Sequence, residues 1–277
     1  MHPTAVIEGD VEVGPGTTVG PWCLLLGTVG PVRIGANCTL IAHATVNGPT
    51  ILGDGNVLYP QVNLGFAPQD IGFPPDRAGP GCVIGSRNTF REGVTVHRGK
   101  TALPTRIGDE NLWMTCTHLG HDGVVGNNCI VGSNAVLAGH VEVADRVIIG
   151  GCTAVHQFVR IGHHALVSGL AGAARDVPPW FTVTATNLIG SLNVVGLRRS
   201  GTSPSDIEAV RWAFKAIYRS GRTPQQALET LRTRESHPVI AEYIRFISES
   251  KRGLCHGSGR ANRGTAGRLD AGDRGGD

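Results

Sequence analysis

The stretch 107–167, written in sixes, decides the fold: IGDENL WMTCTH LGHDGV VGNNCI VGSNAV LAGHVE VADRVI IGGCTA VHQFVR IGHHAL V. Its leading residues are Ile107, Trp113, Leu119, Val125, Val131, Leu137, Val143, Ile149, Val155, Ile161 and Val167. Ten of these eleven are Ile, Leu or Val, and neither a helix nor an ordinary strand generates a strict period of six. Each hexapeptide is expected to make one short strand and one corner, so that three complete a triangular coil. The leading aliphatic side chain points inward, and the Gly or Ala that often follows it is expected where the chain turns. Upstream the same period runs through Ile7, Val13, Val19 and Leu25, then Ile34 to Leu64 by sixes, then Ile84, Phe90 and Val96. The fold class expected is mainly β: a left-handed parallel β-helix over residues 1–190, its coils stacked about 4.8 Å apart.

Two segments break the register. Residues 66–82, FAPQDIGFPPDRAGPGC, carry four prolines, and 102–106, ALPTR, form a shorter excursion. Loops that interrupt a solenoid gather on one side and often supply its binding site. If both excursions rejoin at one corner, the hexads led by Leu64, Val96, Leu119, Leu137 and Val155 share a face. That face carries His97, His121, His140 and His156, with Gln69 and Asp70 on the loop beside it and His118 at the adjoining corner. One histidine alone is more often structural; four on one face beside a long loop point to a functional site.

The period fades after Val167, and DVPPW at 176–180 reads as a boundary. Residues 191–252 are expected to form a helical domain. Ser203-Pro204 is an N-cap followed by proline in the first turn, Thr223-Pro-Gln-Gln is a capping-box pattern, and a third apolar stripe runs from about Pro238 to Lys251. Residues 253–277 are almost devoid of apolar side chains and are expected to be a disordered tail.

Composition narrows the chemistry. With 40 glycines among 277 residues, 5% aromatic and 17% charged, the chain suits many tight turns better than a layered aromatic core. A formal charge of +3 gives no basic footprint for nucleic acid. No apolar run reaches membrane-spanning length, and MHPTAVIEGD lacks the regions of a signal peptide, so a cytoplasmic location is expected. The seven cysteines form no CxxC pair and read as packed thiols. Neither a Walker loop nor a strand–GxGxxG–helix occurs. His121-Asp122 pairs an imidazole with a carboxylate that can orient it, a set suited to deprotonating an alcohol; a turn in which Asp122 bonds backbone amides is the alternative. Gly139 falls at the hexad position of His121 one coil on, where a bare peptide N–H could stabilise an oxyanion.

Several motifs, THLGHD, LAGHV, GGCTAVHQFVRIG, RDVPPW and AFKAIYRSGRT, resemble those of the UDP-N-acetylglucosamine O-acyltransferases, which begin lipid A assembly. The resemblance spans residues 2–254. It implies a homotrimer with active sites between subunits, moving a (3-hydroxy)acyl chain from acyl carrier protein to the 3-hydroxyl of the UDP-sugar, with no metal or cofactor. By matching motif it makes His121 the general base, Asp122 its partner and Gly139 the oxyanion donor. His97, His118, His140, His156 and Gln157 match cleft positions, and Gln69 and Asp70 the sugar-contacting loop. Gly169 matches the position whose side chain limits acyl-chain length, and Asn193 and Arg199 match nucleotide-contacting positions.

The departures concern the nucleotide. Gly72 stands where the family usually has a lysine, Val195 where it has an acid, and Ser200 replaces the second of two arginines; Arg77 in the proline-rich loop is a candidate substitute. An acyltransferase with another nucleotide-sugar acceptor therefore remains open, as does a zinc-dependent hexapeptide enzyme using three histidines. A later N-acyltransferase of lipid A synthesis would carry a domain ahead of its repeats, which here begin at Ile7. A non-catalytic paralogue would have less reason to keep His121, Asp122 and Gly139.

Overall fold

The computed structural model of the chain describes residues 1–257. Parallel strands of mostly two or three residues wind into a left-handed β-helix, and three inward columns form its core. One column stacks Leu25, Val46, Leu64, Val96, Leu119, Leu137, Val155 and Ala173. The second runs from Ile34 through Leu52, Ile84, Ile107, Val125 and Val143 to Ile161. The third runs from Val19 through Phe90, Trp113 and Val131 to Val183. All of these residues are buried, so the period of six translates directly into the core. Trp113, the one exception to the aliphatic series over 107–167, stacks on Phe90, the aromatic of the coil before it, at a centroid distance of 6.1 Å.

The turn chemistry differs in detail from the expectation. The left-handed backbone falls on the fourth residue of each hexad: Asp122, Asn128, Asn134, His140, Arg146, Cys152, Phe158 and His164 have φ between 54° and 63°. The second residue is small for another reason. A Cβ on Gly120 would lie 2.6 Å from the Gly139 nitrogen, and one on Gly126 2.3 Å from Asp145 Oδ1. The glycines let successive coils approach, while polar and aromatic residues carry the turn.

At one corner the core is polar. Asn56, Asn88 and Asn111 are buried and bond in series along the axis. Asn88 Nδ2 donates to Asn56 Oδ1 (3.0 Å), and Asn111 Nδ2 donates to Asn88 Oδ1 (2.9 Å). Asn88 Oδ1 also accepts from the Asn111 amide, and Asn88 Nδ2 donates to the Gly108 carbonyl. Each rung is satisfied only while its neighbours are present.

The excursions leave the prism between strands Asn63–Phe66 and Cys82–Ile84, and between Thr95–His97 and Thr105–Ile107. Beyond the last coil, Phe181–Ala185 extends the third column and pairs antiparallel with Leu188–Leu192. Among the described residues four α-helices follow, α1 (Val194–Arg199), α2 (Pro204–Phe214), α3 (Pro224–Arg232) and α4 (Pro238–Ser248), with a π-helical turn Lys215–Arg219 continuing α2. Ser203 caps α2, and Thr223 with Gln226 completes the capping box of α3. The expected tail starts too early. Cys255 is buried, its amide donates to the Asp176 carbonyl (2.9 Å), and His256–Gly257 pairs with Leu188–Ile189. Main-chain bonding to the last coil orders these residues, which composition alone does not foresee. The rest of the expected tail, 258–277, lies outside the described residues.

Asn88→Ala is expected to lower unfolding stability by about 2–4 kcal/mol, because it orphans buried groups on Asn56 and Asn111 at about 1–3 kcal/mol each. Urea unfolding measures this, and a loss below about 1 kcal/mol would show that the ladder contributes little.

Candidate active site

The hexad led by Leu119 places His121 third and Asp122 fourth, at the corner where both excursions rejoin. His121 Nδ1 lies 2.6 Å from Asp122 Oδ2. Nδ1–H therefore donates to the carboxylate, and Nε2 is left with its lone pair outward. Asp122 is held on several sides. Its carboxylate accepts from the Lys100 amide (3.1 and 3.2 Å), the Thr101 amide (2.9 Å) and the Thr101 hydroxyl (2.6 Å), and its own amide donates to Thr105 Oγ1 (2.9 Å). Burial pushes the Asp122 carboxyl upward, but the bonds from Thr101, His121 and Lys100 outweigh it and keep the acid below its ordinary value. Both readings of Asp122 thus hold together: it bonds backbone amides and orients His121.

One coil on, Gly139 stands at the position of His121. A Cβ on Gly139 would sit 3.0 Å from both Cε1 and Nε2 of the His121 ring, so a side chain there would make the imidazole give way by a few tenths of an ångström. The Gly139 amide has no hydrogen-bond partner among the described residues. Coil geometry explains why. The third-residue N–H of a hexad is not used in coil stacking, and at another corner side chains from the next coil satisfy it. There Asp109 Oδ1 accepts from Ser86 N, Asn127 Oδ1 from Asp109 N, and Asp145 Oδ1 from Asn127 N. At the histidine corner no side chain does so for Gly139.

His140, the fourth residue of that hexad, makes an edge contact with His121 at 5.2 Å between centroids and stacks on Phe158 at 4.5 Å. On the flat face, His118 Nδ1 pairs with Thr95 Oγ1 (2.8 Å), and His97 Nδ1 with the Ala67 carbonyl (2.5 Å). His118 lies on the strand His118–Leu119 itself, outward, rather than at a corner. Burial, aided by the neighbouring imidazoles, pushes His118 down to about 4, and burial also lowers His97 and His140. These rings are neutral near pH 7, and so able to accept a proton or a hydrogen bond. A cleft of about 730 Å³ opens beside the corner, with Leu103, Asp122, His140, Phe158 and Arg252 in its walls.

His121, Asp122 and His140 bring three potential ligand atoms within 4.8 Å of one another. The His121–Asp122 contact of 2.6 Å is shorter than the ~3.3 Å between ligand atoms on a tetrahedral zinc bonded at about 2.0–2.1 Å. The geometry is that of a hydrogen-bonded dyad.

A family described as Udp N-acetylglucosamine O-acyltransferase, domain 2, matches residues 176–255. Among solved structures, the Campylobacter jejuni UDP-N-acetylglucosamine acyltransferase is 31% identical, covers 92% of this chain and 98% of its own, and superposes with a TM-score of 0.84. The chain belongs to the UDP-N-acetylglucosamine acyltransferase family. The Francisella novicida enzyme (27% identity, 99% of both chains, TM-score 0.86) and the Arabidopsis enzyme (30%, 92% and 99%, TM-score 0.82) are similar throughout.

Within one chain of this acyltransferase, His97, His118, His121, Asp122, Gly139 and His140 converge. Asp70 joins them through Lys100, whose Nζ is 2.6 Å from Asp70 Oδ2; Gln69 is exposed on the same turn. The cation that meets Asp70 is therefore Lys100, and not Arg77, whose guanidinium lies over Phe73 at 5.2 Å. His156 and Gln157 are exposed one coil beyond, with Arg252 Nη2 donating to His156 Nδ1 (3.0 Å). Three of the expected residues lie elsewhere. Gly169 is at the corner that precedes the histidine face. Asn193 caps α1 and donates to the His164 carbonyl (2.9 Å), at the third corner. Arg199 is exposed in the last turn of α1. Val195 is exposed on α1, and the Ser200 hydroxyl is taken up by the Leu197 carbonyl and Thr202.

The sequence reading missed Arg98, Lys100, Thr101 and Thr105. Arg98 is fully buried and donates to the carbonyls of Gly65, Pro75 and Arg77, pinning the first excursion from beneath. The signal available was the polar run HRGKT directly after a strand.

An unfolded histidine protonates near pH 6.5, whereas His118 resists until about 4. The unfolded chain therefore binds more protons across that window, and stability falls as pH drops from about 6.5 to about 4. His164, pushed down to about 4 by burial, adds in the same direction. The urea midpoint is expected to be lower at about pH 5 than at about pH 7.5, and His118→Gln to narrow the difference; an unchanged difference would remove His118 from the account.

Proposed function

We propose that the chain moves an acyl group from acyl carrier protein to the 3-hydroxyl of UDP-N-acetylglucosamine. The observation that carries the mechanism is the His121–Asp122 hydrogen bond with an unpartnered Gly139 N–H beside the ring. His121 Nε2 takes the proton of the sugar hydroxyl as its oxygen attacks the thioester carbonyl. The tetrahedral oxyanion is met by the Gly139 N–H, which is already oriented and needs no rearrangement. Collapse expels the thiolate, and the imidazolium returns the proton to sulfur. Asp122 holds the tautomer and stabilises the imidazolium between the two transfers.

The active assembly is a homotrimer in this reading. One chain leaves Asn193 and Arg199 a corner away from His121, and Gly169 at a different corner again, so a second copy is needed to bring α1 to the dyad. Arg198 and Arg199 have no ion-pair partner among the described residues, which suits them to a nucleotide diphosphate bound across the subunits. In this reading the acyl chain runs past Gly169. No helix among the described residues is long and apolar enough to cross a membrane, and soluble substrates meeting in the cytoplasm fit that.

Turnover with acyl-carrier-protein thioesters is expected for UDP-N-acetylglucosamine over its 3-amino analogue. His121→Ala should lose about 10²–10⁴-fold in kcat with the fold retained. Gly139→Ala should lose about 10²–10³-fold, because its methyl displaces the ring and crowds the amide. Preference for the amino analogue, or an active His121→Ala, would overturn the assignment.

A Cβ at Gly169 would find its nearest neighbour at 3.4 Å, so the backbone accepts a side chain there. Gly169→Met is expected to shift selectivity toward shorter acyl donors in a thioester series; an unchanged order would place the acyl chain elsewhere.

A further inference from the structure

Residues 97–101 address both the first excursion and the dyad. His97 bonds the Ala67 carbonyl, Arg98 the carbonyls of Gly65, Pro75 and Arg77, and Lys100 the Asp70 carboxylate. Lys100 differs from the other two in reaching two ways. Its amide faces both oxygens of Asp122 (3.2 and 3.1 Å), while its Nζ holds Asp70 Oδ2 at 2.6 Å. The other Asp70 oxygen accepts from the Gly72 amide (2.9 Å), and the Asp70 carbonyl accepts from Phe73 N (3.0 Å). The Asp70 carboxylate thus has one orientation, set from its own turn and from Lys100.

We propose that Lys100 is a positioning residue for the acyl transfer, fixing the Gln69–Asp70 turn over the His121–Asp122 dyad. The ion pair is partly exposed, with side chains 38% and 30% accessible, and pairs of that kind contribute little to global stability. Its effect is on geometry and local charge. His140 lies beside Asp122, His121 and Lys100, while His121 is also near Asp70, His97 and His118. Without Lys100, the Asp70 carboxylate loses the cation that is its strongest partner. Burial is the main cause that lowers His140, and Lys100 adds to it.

The kinetic arm of the test rests on the acyl-transfer reading; the titration arm does not. In the full chain, Lys100→Met is expected to raise the KM for UDP-N-acetylglucosamine about tenfold with a smaller loss in kcat. NMR of the histidine rings should show His140 titrating higher than in the unaltered chain, because one nearby positive charge is removed. Lys100→Arg should recover both, since it keeps a cation within reach of Asp70. Arg87→Met, which removes a cation paired with Glu110 at another corner, should leave the His140 titration in place. The proposal is overturned if Lys100→Met keeps the wild-type KM and His140 titration, or if Lys100→Arg behaves as Lys100→Met. If the unaltered chain turns over no UDP-sugar, the acyl-transfer reading fails. The His140 titration then decides for Lys100 by itself: a shift supports its coupling to the dyad, and no shift ends it.

Discussion

Every feature of this protein depends on one constraint: each coil bonds its main chain to the coil above and below at strand spacing. Aliphatic columns fill the prism, and glycine after the leading residue lets backbones approach to that distance. The same stacking uses the amides of the short strands and leaves the third-residue N–H of each hexad without a main-chain partner. A β-helix of this kind therefore generates a row of spare donors along every corner.

What distinguishes the corners is how those donors are used. Along one of them, Asp109, Asn127 and Asp145 turn each spare donor into a side-chain ladder, with the buried asparagines running parallel to it inside. That corner is structural. Along the histidine corner, Gly139 and Gln157 stand where such acceptors for the His121 and Gly139 amides would lie, and neither side chain bonds them among the described residues. The spare donor at Gly139 stays open because no side chain at that corner satisfies it. A generic property of the fold thus leaves a main-chain donor beside the His121 ring.

The electrostatics follow from burial. Desolvation holds His118 and His97 below the ordinary histidine value, helped at His118 by His97 and His121 and at His97 by His121 and Arg98. Asp122 stays ionised in the same neighbourhood because it collects donors from Lys100 and Thr101 on the second excursion. The loops therefore act on the chemistry indirectly. Arg98 anchors the first from below, and Thr101 and Thr105 bring the second onto the carboxylate.

The sequence by itself determined the prism, its register and the convergence of four histidines, because a hexapeptide period assigns each residue to a face without reference to anything distant. It also located His121, Asp122 and Gly139 at their corner, since those positions differ by one coil, and it marked the caps of α2 and α3, which are local. Tertiary structure decided what the period does not encode. The partners of Asp122 come from an excursion outside the register, so Lys100, Thr101 and Thr105 have no periodic signature. The start of the tail moved from 253 because Cys255 and His256–Gly257 bond to a coil end far away in sequence. Asn193 and Arg199 fall at a different corner from the dyad because α1 is carried there by the hairpin Phe181–Leu192. Local periodicity sets where each residue points; the loops and the terminal segment are placed by long-range hydrogen bonds.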